Sequence, residues 1–171
     1  MDPRTLINAA LDISHGILNQ TMADVTQEMA NQRIPGAKIQ SIAAIYAHLV
    51  FDEDLIFHGM ALGEAPIYVT GGWAEKTGTP PAASPMMTDE WAAGLTLDLA
   101  KFNQFTQALQ AAVKERVANL TDAEIEREVD GPFGKQPAGA VLVGLLPYHI
   151  AEHTGEIAAL KGVSGAKGLP F

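Results

Sequence analysis

Apolar residues recur every three or four positions in four long stretches of the chain, the spacing of an amphipathic helix. The first stretch follows Asp2, a good N-cap residue, and Pro3, which suits the first helical position. The second stretch, residues 39–59, is dense in isoleucine, alanine, leucine and phenylalanine. We predict a helix for each, and we expect the first helix to be amphipathic along one apolar stripe. That stripe consists of Leu6, Ala10, Ile13 and Ile17.

The other two stretches lie in the second half of the chain. The third begins after Thr88, a helix-capping residue, and keeps an apolar stripe from Trp91 to Val117 without interruption. The fourth begins after Pro137 and ends near Lys161, where a basic residue precedes a helix-stopping glycine. Four helices of this length predict an all-α fold, a four-helix bundle with decorated loops.

Residues 60–87, between the second and third helices, are rich in glycine and proline. A connection of this length is typically a crossover or a functional lid, and it could return the third helix parallel to the second. Trp73 lies in this connection, where it could cover a site or anchor the loop by packing. Further on, Thr121 and Glu124 have the spacing of a capping box, which predicts a short helix. Residues 130–134 are then expected to turn the chain into the fourth helix.

Composition narrows the class of protein. The chain has 171 residues, of which 47% are hydrophobic and 18% charged, so residues 1–171 are predicted to form one globular domain. Its net charge of −9 repels nucleic-acid phosphates and anionic lipid headgroups. We find no signal peptide or membrane-length apolar run, and the absence of cysteine excludes disulfides and thiolate metal ligands. We therefore expect a cytoplasmic protein that binds neither nucleic acid nor membranes.

Three histidines indicate a metal site. His149 and His153 are four residues apart in the fourth helix, so their imidazoles lie one turn apart on one face. They occupy positions at which the stripe of this helix otherwise has apolar residues. His48 has the same inward placement on the second helix, and Asp52 follows it one turn later. Three neutral imidazoles from two helices would bind Zn²⁺ or another borderline divalent metal and leave coordination positions open.

The other patterns around histidine do not add a site. Residues 149–153 match the H-x-x-E-H pattern of inverted zinc peptidases, but only 18 residues follow His153, too few for the further glutamate ligand of that fold. His15 adjoins Ser14, and neighbouring helical residues diverge too far to form a catalytic triad. His58 is rotated away from the inward face of its helix. We therefore expect these last two histidines to be surface or packing residues.

Two segments, residues 41–53 and 148–157, carry a more specific pattern. The first places a histidine midway along the second helix, followed by an acidic residue, and the second places a His-x-x-x-His pair before a Gly-Glu-Ile run. In this arrangement the chain resembles the DinB-like superfamily of bacterial metalloenzymes, which includes the YfiT-type proteins. The resemblance implies an up-down-down-up four-helix bundle with its long connection between helices 2 and 3. It also implies a homodimer and a divalent metal, often nickel or zinc, on His48, His149 and His153.

The resemblance also indicates a reaction, because characterised relatives are thiol-dependent. It implies an S-transferase in which a low-molecular-weight thiol, such as mycothiol, bacillithiol or glutathione, attacks a small electrophile. Asp52 and Glu156 lie near the histidine faces and are candidates for catalytic proton transfer or for orienting a ligand. Two alternatives stay open: a non-catalytic metal- or ligand-binding protein of the stress response, whose metal is structural or adventitious, and a hydrolase that uses metal-activated hydroxide on the same three histidines. A fourth protein ligand would favour a structural metal, and an open position would favour an enzyme.

Overall fold

The computed structural model describes residues 1–80 and 87–171 and is mainly helical. A π-helical segment, Leu55–Leu62, continues the α-helix Ile42–Asp54, and a second one, Val141–Leu145, lies between the helices Ala138–Ala140 and Leu146–Val163. Two short strands, β1 Glu128–Gly131 and β2 Gly134–Pro137, form one small antiparallel sheet, and the predicted all-α class is confirmed for the rest of the described residues. The α-helices are α1 Pro3–Met22, α2 Gln27–Asn31, α3 Ile42–Asp54, α4 Ile67–Thr70, α5 Trp73–Thr77, α6 Asp89–Gly94, α7 Leu99–Ala118, α8 Asp122–Glu126, α9 Ala138–Ala140 and α10 Leu146–Val163.

The first helix begins as predicted but buries a different face. The Asp2 carboxylate accepts a hydrogen bond of 2.9 Å from the backbone N–H of Arg4 and so caps α1. Leu6 and Ile13 of the predicted stripe are 47% and 65% exposed. The prediction of this stripe was wrong because the face that packs inward includes polar residues, so hydrophobicity alone does not reveal it. The buried residues of α1 are Ile7, Leu11, Ser14, His15, Leu18, Thr21 and Met22.

The second predicted helix is confirmed and lies inside the molecule. The Ser41 hydroxyl caps α3 by accepting a hydrogen bond of 3.2 Å from the N–H of Ala44, and residues 41–51 are all buried. The helix continues through its π-helical segment beyond the predicted end, to Gly63, whose φ of 71° favours glycine. Because α3 packs against α2, α4, α7 and α10, its side chains meet several neighbouring elements at once.

The third predicted helix is broken in two. α6 ends at Gly94, and α7 begins after Asp98, whose carboxylate caps it. Side chains of α2 bind the backbone between them. The side-chain oxygen of Asn31 accepts a hydrogen bond of 2.8 Å from the N–H of Leu97. The side-chain amides of Gln27 and Asn31 donate hydrogen bonds of 2.5 and 3.0 Å to the carbonyl oxygen of Leu97. The prediction of one continuous helix was wrong because these tertiary hydrogen bonds replace the helical ones.

The connection after α3 contains two short helices, α4 and α5, where the sequence predicted only a loop. The buried Asp54 carboxylate caps α4 by accepting hydrogen bonds of 3.0 and 2.8 Å from the N–H groups of Ile67 and Tyr68. Three- to five-residue helices carry too little periodicity to be recognised in a glycine-rich sequence. The buried Asp54 at the end of α3 therefore fixes the position of the first turn of α4 in this connection.

Trp73 anchors this connection by packing. Its ring lies 5.5 Å from that of Phe105 on α7, measured between centroids, and the Lys76 ammonium lies 4.5 Å above it. The suggestion that the connection is a lid stays a prediction, because its Pro81 and Pro85 lie outside the described residues.

Residues 128–137 form a hairpin where the sequence predicted only a turn. β1 and β2 pair with Gly131 opposite Gly134, so Pro132 and Phe133 form the tip. Gly134, which follows the tip, has a φ of 99°, a backbone conformation that favours glycine. Only Val129 of the two strands is buried, so the alternation that would identify them is missing.

The fourth predicted helix is confirmed over residues 138–163, and α10 packs against both α1 and α3. Near its end the buried Lys161 ammonium donates to the Thr21 carbonyl of α1 at 2.6 Å. The capping box of Thr121 and Glu124 is also confirmed, at the start of α8. Of the helices in the two described ranges, none combines the length and the apolar character needed to span a membrane.

Candidate metal centre

The packing of α10 against α3 brings three histidines together. His48 lies in the middle of α3, and His149 and His153 lie one turn apart on α10. The ring centroids of His48 are 5.2 Å from His149 and 4.8 Å from His153, and the two rings of α10 are 4.5 Å apart. One nitrogen from each ring lies within 4.8 Å of those from the other two, so the group could hold a metal ion.

Burial determines the charge state of this cluster. Burial, and then the neighbouring His153, lower the pKa of His48 to about 4. Burial and the other two imidazoles lower the pKa of His149 to about 3. At neutral pH both rings are uncharged and keep a lone pair on one nitrogen, which is the form that binds metals. Their side chains remain slightly exposed, so a small molecule can reach them.

Glu156 orients the third imidazole. Its Oε2 lies 2.6 Å from Nδ1 of His153. Because a carboxylate only accepts hydrogen bonds, His153 donates from Nδ1 and keeps its lone pair on Nε2. Carboxylates bonded in this way fix the tautomer and the orientation of metal-binding histidines. The structure thus places Glu156 against one of the three imidazoles.

Asp52 lies beside the other two imidazoles. Its Oδ1 is 3.6 Å from Nδ1 of His48, and its Oδ2 is 3.6 Å from Nε2 of His149. Both distances are too long for a direct hydrogen bond. Burial raises the pKa of Asp52 to about 7. The carboxylate is therefore close to the cluster without being bonded to either ring.

The cluster contains a buried nitrogen that the described residues leave without a partner, Nδ1 of His149. An unpaired buried polar atom costs about 1–3 kcal/mol, so it calls for an explanation. A divalent cation bound to this nitrogen would satisfy it. A donor set of three imidazoles with flanking carboxylates suits zinc, nickel and similar metals better than magnesium or calcium, which prefer oxygen.

The sequence as a whole matches a known family. A family model described as the DinB superfamily matches residues 10–157, a range that includes all three histidines. The chain belongs to the DinB superfamily. A conserved protein from Enterococcus faecalis, known from its crystal structure, has a similar fold, with a TM-score of 0.78 and 20% sequence identity. That match covers 96% of this chain and 99% of the other. A separate comparison with curated proteins found no match to the sequence.

A pocket of about 240 Å³ lies against the histidine cluster of this DinB-superfamily protein. Ile45 and Glu156 line it from the two helices that carry the histidines, and Lys38, Met87 and Asp89 line it from the segments before α3 and at α6. Glu156 also bonds to His153 and so links the pocket to the cluster, although none of the three histidines lines the pocket. It has room for a small molecule.

The two remaining histidines, predicted to be surface or packing residues, are buried packing residues, and both are bonded to carboxylates. Nε2 of His15 lies 2.8 Å from Oε1 of Glu53, and Nδ1 of His58 lies 2.7 Å from Oδ1 of Asp54. The spacing of four residues between Asp54 and His58 is a local signal that could have indicated the second pair. The first pair joins residues 38 positions apart in different helices, so no local pattern could have revealed it.

Proposed function

We propose that this protein is a metal-dependent enzyme, a thiol S-transferase that acts on small electrophiles. His48, His149 and His153 would hold one divalent metal ion, zinc or nickel. The observation that carries the proposal is that three imidazole nitrogens lie within 4.8 Å of one another, in a group of possible ligands that includes neither Asp52 nor Glu156. Catalytic zinc sites keep an open position of this kind, whereas structural zinc sites are closed by four protein ligands.

The absence of cysteine indicates where the sulfur comes from. A divalent cation in this position would stabilise the deprotonated form of a bound thiol at neutral pH. Because the chain has no thiol of its own, the sulfur must arrive with a co-substrate such as mycothiol, bacillithiol or glutathione. In the reaction a sulfur–carbon bond forms, and the bond between that carbon and its leaving group breaks. The leaving group departs with the electron pair of the broken bond.

The two carboxylates have separate tasks in this scheme. Glu156 holds His153 in the tautomer that offers Nε2 to the metal. Asp52, 3.6 Å from a nitrogen of each of the other two imidazoles, is placed to take the proton that the thiol releases. The pocket beside Glu156 would receive the electrophile.

Metal analysis tests the ligand assignment. The metal content of protein purified without a histidine tag is compared with that of His48→Ala and His153→Ala, and His58→Gln serves as a control outside the cluster. We expect one metal ion per chain in the wild type and the control, and little in the two ligand variants. Circular dichroism establishes that each variant is folded. Full metal content in both ligand variants would refute the site.

A panel of thiols tests the reaction separately from the metal. The metal-loaded protein is mixed with an electrophilic aryl halide and with mycothiol, bacillithiol or glutathione in turn, and halide release is followed. We expect turnover with at least one thiol, its loss in His48→Ala and a reduced rate in Asp52→Asn. Bound metal without turnover would favour the non-catalytic metal-binding protein instead. Ester hydrolysis without any thiol would favour the hydrolase.

We further propose one domain with an up-down-down-up bundle, assembled as a homodimer in the cytoplasm. The packing of α1 and α3 each against both α7 and α10 supports the bundle. The dimer is supported by the outward face of α1, where Leu6 and Ile13 are exposed and a second copy could cover them. Light scattering tests the dimer: we expect Ile13→Glu to convert it to a monomer, and a monomeric wild type would refute it.

A further inference from the structure

An apolar pocket of about 540 Å³ lies at the base of the β1–β2 hairpin. Ile125 and Glu126 line it just before β1 begins, and Pro137 and Ala140 line it where β2 ends and just beyond. Leu6 of α1 is also part of the lining and is 47% exposed. Among the described residues that line this pocket, Glu126 is the one with a charge, and none is a candidate metal ligand. The pocket is therefore separate from the candidate metal centre.

The tip of the same hairpin exposes a large aromatic side chain. Phe133 is 88% exposed, beside Pro132 in the two-residue tip. A phenylalanine side chain buries roughly 150–250 Å² when it is enclosed, so the tip leaves a large apolar surface in water. The turn itself does not need an aromatic residue, because two-residue hairpin turns favour asparagine, aspartate and glycine. Phe133 is thus an apolar group without a structural role in its own hairpin.

The pocket and the tip lie at opposite ends of one paired element. Each strand has four residues, and a strand rises about 3.3 Å per residue, so the tip lies roughly 13 Å from the base of the hairpin. The strands are paired along their whole length, which keeps Phe133 from folding back into the pocket of its own chain. When two copies lie with their hairpins antiparallel, each tip reaches the pocket of the other copy. A two-fold axis makes both contacts at once.

We propose that a second copy of this chain fills the pocket, and that Phe133 of each copy enters the pocket of the other. This exchange rests on the homodimer proposed above and names the contact that holds it together. Leu6 joins the pocket to the outward face of α1, so the two contacts form one continuous surface.

The charges at the two ends of the hairpin are complementary. Lys135 lies two residues after Phe133, and its side chain is 68% exposed. Its ion pair with Glu128 of the same hairpin is exposed on both sides and contributes little. The exchange brings the Lys135 ammonium of one copy to the end of the hairpin where the other copy has Glu126. The charged residue of an otherwise apolar pocket is thereby paired.

Light scattering of the full chain over a range of concentrations measures the dissociation of the dimer. Phe133→Ser removes the anchors of both copies, so we expect the dissociation constant to rise on the order of 100-fold or more. Val69→Ser is the matched control, because Val69 is 68% exposed and does not line the pocket. It should leave the dissociation constant unchanged. Both side chains are exposed, so neither substitution disturbs the core.

Disulfide trapping tests the exchange itself. The chain has no cysteine, so every disulfide comes from an introduced residue. Chains with Pro132→Cys at the tip are mixed with chains that carry Ala140→Cys in the pocket, and the mixture is oxidised after subunit exchange. We expect a covalent dimer from the mixture and none from Pro132→Cys alone. The two tips of one dimer lie about a hairpin length apart, beyond the roughly 7 Å that a disulfide allows between Cα atoms.

The outcomes separate this exchange from the other proposals. A dimer that Phe133→Ser leaves intact overturns the exchange and leaves the contact through α1 in place. The absence of a covalent dimer from the oxidised mixture overturns it in the same way. A wild type that is monomeric at every concentration overturns the homodimer together with the exchange. None of these results changes the metal content on which the proposed enzyme depends.

Discussion

Replacing Glu156 with alanine removes the 2.6 Å hydrogen bond to Nδ1 of His153 and leaves all three candidate metal ligands in place. Without this acceptor the His153 ring can rotate and can carry its hydrogen on either nitrogen. In part of the protein molecules, Nε2 of His153 then carries the hydrogen or points away, and it cannot bind the metal. We therefore expect weaker metal binding by a protein that still folds.

The exposure of Glu156 determines the size of the effect. Loss of a carboxylate that orients a metal-binding histidine weakens metal affinity by about 10- to 100-fold. The Glu156 side chain is 43% exposed, so water screens its charge and replaces part of its hydrogen bonding. We expect the lower end, about tenfold, for Glu156→Ala. Glu156→Gln keeps an oxygen acceptor and loses only the charge, so it should cost about threefold.

Competition with a chromogenic zinc chelator measures these affinities. Glu152→Ala is the matched control, because it removes the same charge from the same helix and its side chain is exposed. The expected order of affinity is wild type and Glu152→Ala, then Glu156→Gln, then Glu156→Ala. If the two alanine variants bind zinc equally well, the hydrogen bond to His153 has no role in metal binding and the reasoning is refuted.

Three further substitutions test the fold around the site by chemical denaturation. Asn31→Ala leaves the buried Leu97 N–H without its partner and should lower the free energy of unfolding by about 1–3 kcal/mol; no change would mean that the break between α6 and α7 does not depend on α2. Lys161→Met removes the donor to the Thr21 carbonyl and should also cost about 1–3 kcal/mol, a prediction that wild-type stability would contradict. Gly16→Ala should stabilise by up to about 1 kcal/mol, since the added Cβ lies in open space within a helix, and destabilisation would count against it.

The residues that meet at the candidate metal centre could be predicted because most of their geometry is local. The spacing of His149 and His153 places both rings on one face of whatever helix contains them. His48 needed only the further inference that its helix is turned inward at that position. Glu156 has a local spacing too, three residues after His153, but its contact depends on side-chain conformation. The 2.6 Å bond, and with it the tautomer, therefore became visible only in the structure.

The errors in the predicted fold have tertiary causes. The apolar stripe of α1 is exposed because Ser14 and His15 occupy the buried face, and the partner of His15 lies in another helix. The helix expected from Trp91 onward is interrupted because Asn31, 66 residues before Leu97, binds the backbone there. Neither of these distant contacts can be predicted from the residues around it in the sequence. Only Gly94, at the end of α6, is a weak local indication that the helix stops there. Periodicity describes one element at a time and cannot represent such contacts.

Three consecutive acidic residues at the end of α3 connect these observations. A run of acids in a sequence is typical of solvated surface, yet Glu53 and Asp54 are 0% and 1% exposed. Because α3 is covered by several elements and successive residues point about 100° apart, each carboxylate faces a different neighbour. A buried carboxylate needs a polar or positively charged partner, which an apolar side chain cannot supply. In one turn of α3, each of the three carboxylates lies beside at least one histidine ring. Glu53 bonds to His15 and Asp54 bonds to His58, whereas Asp52 lies 3.6 Å from a nitrogen of His48 and of His149 without a direct hydrogen bond.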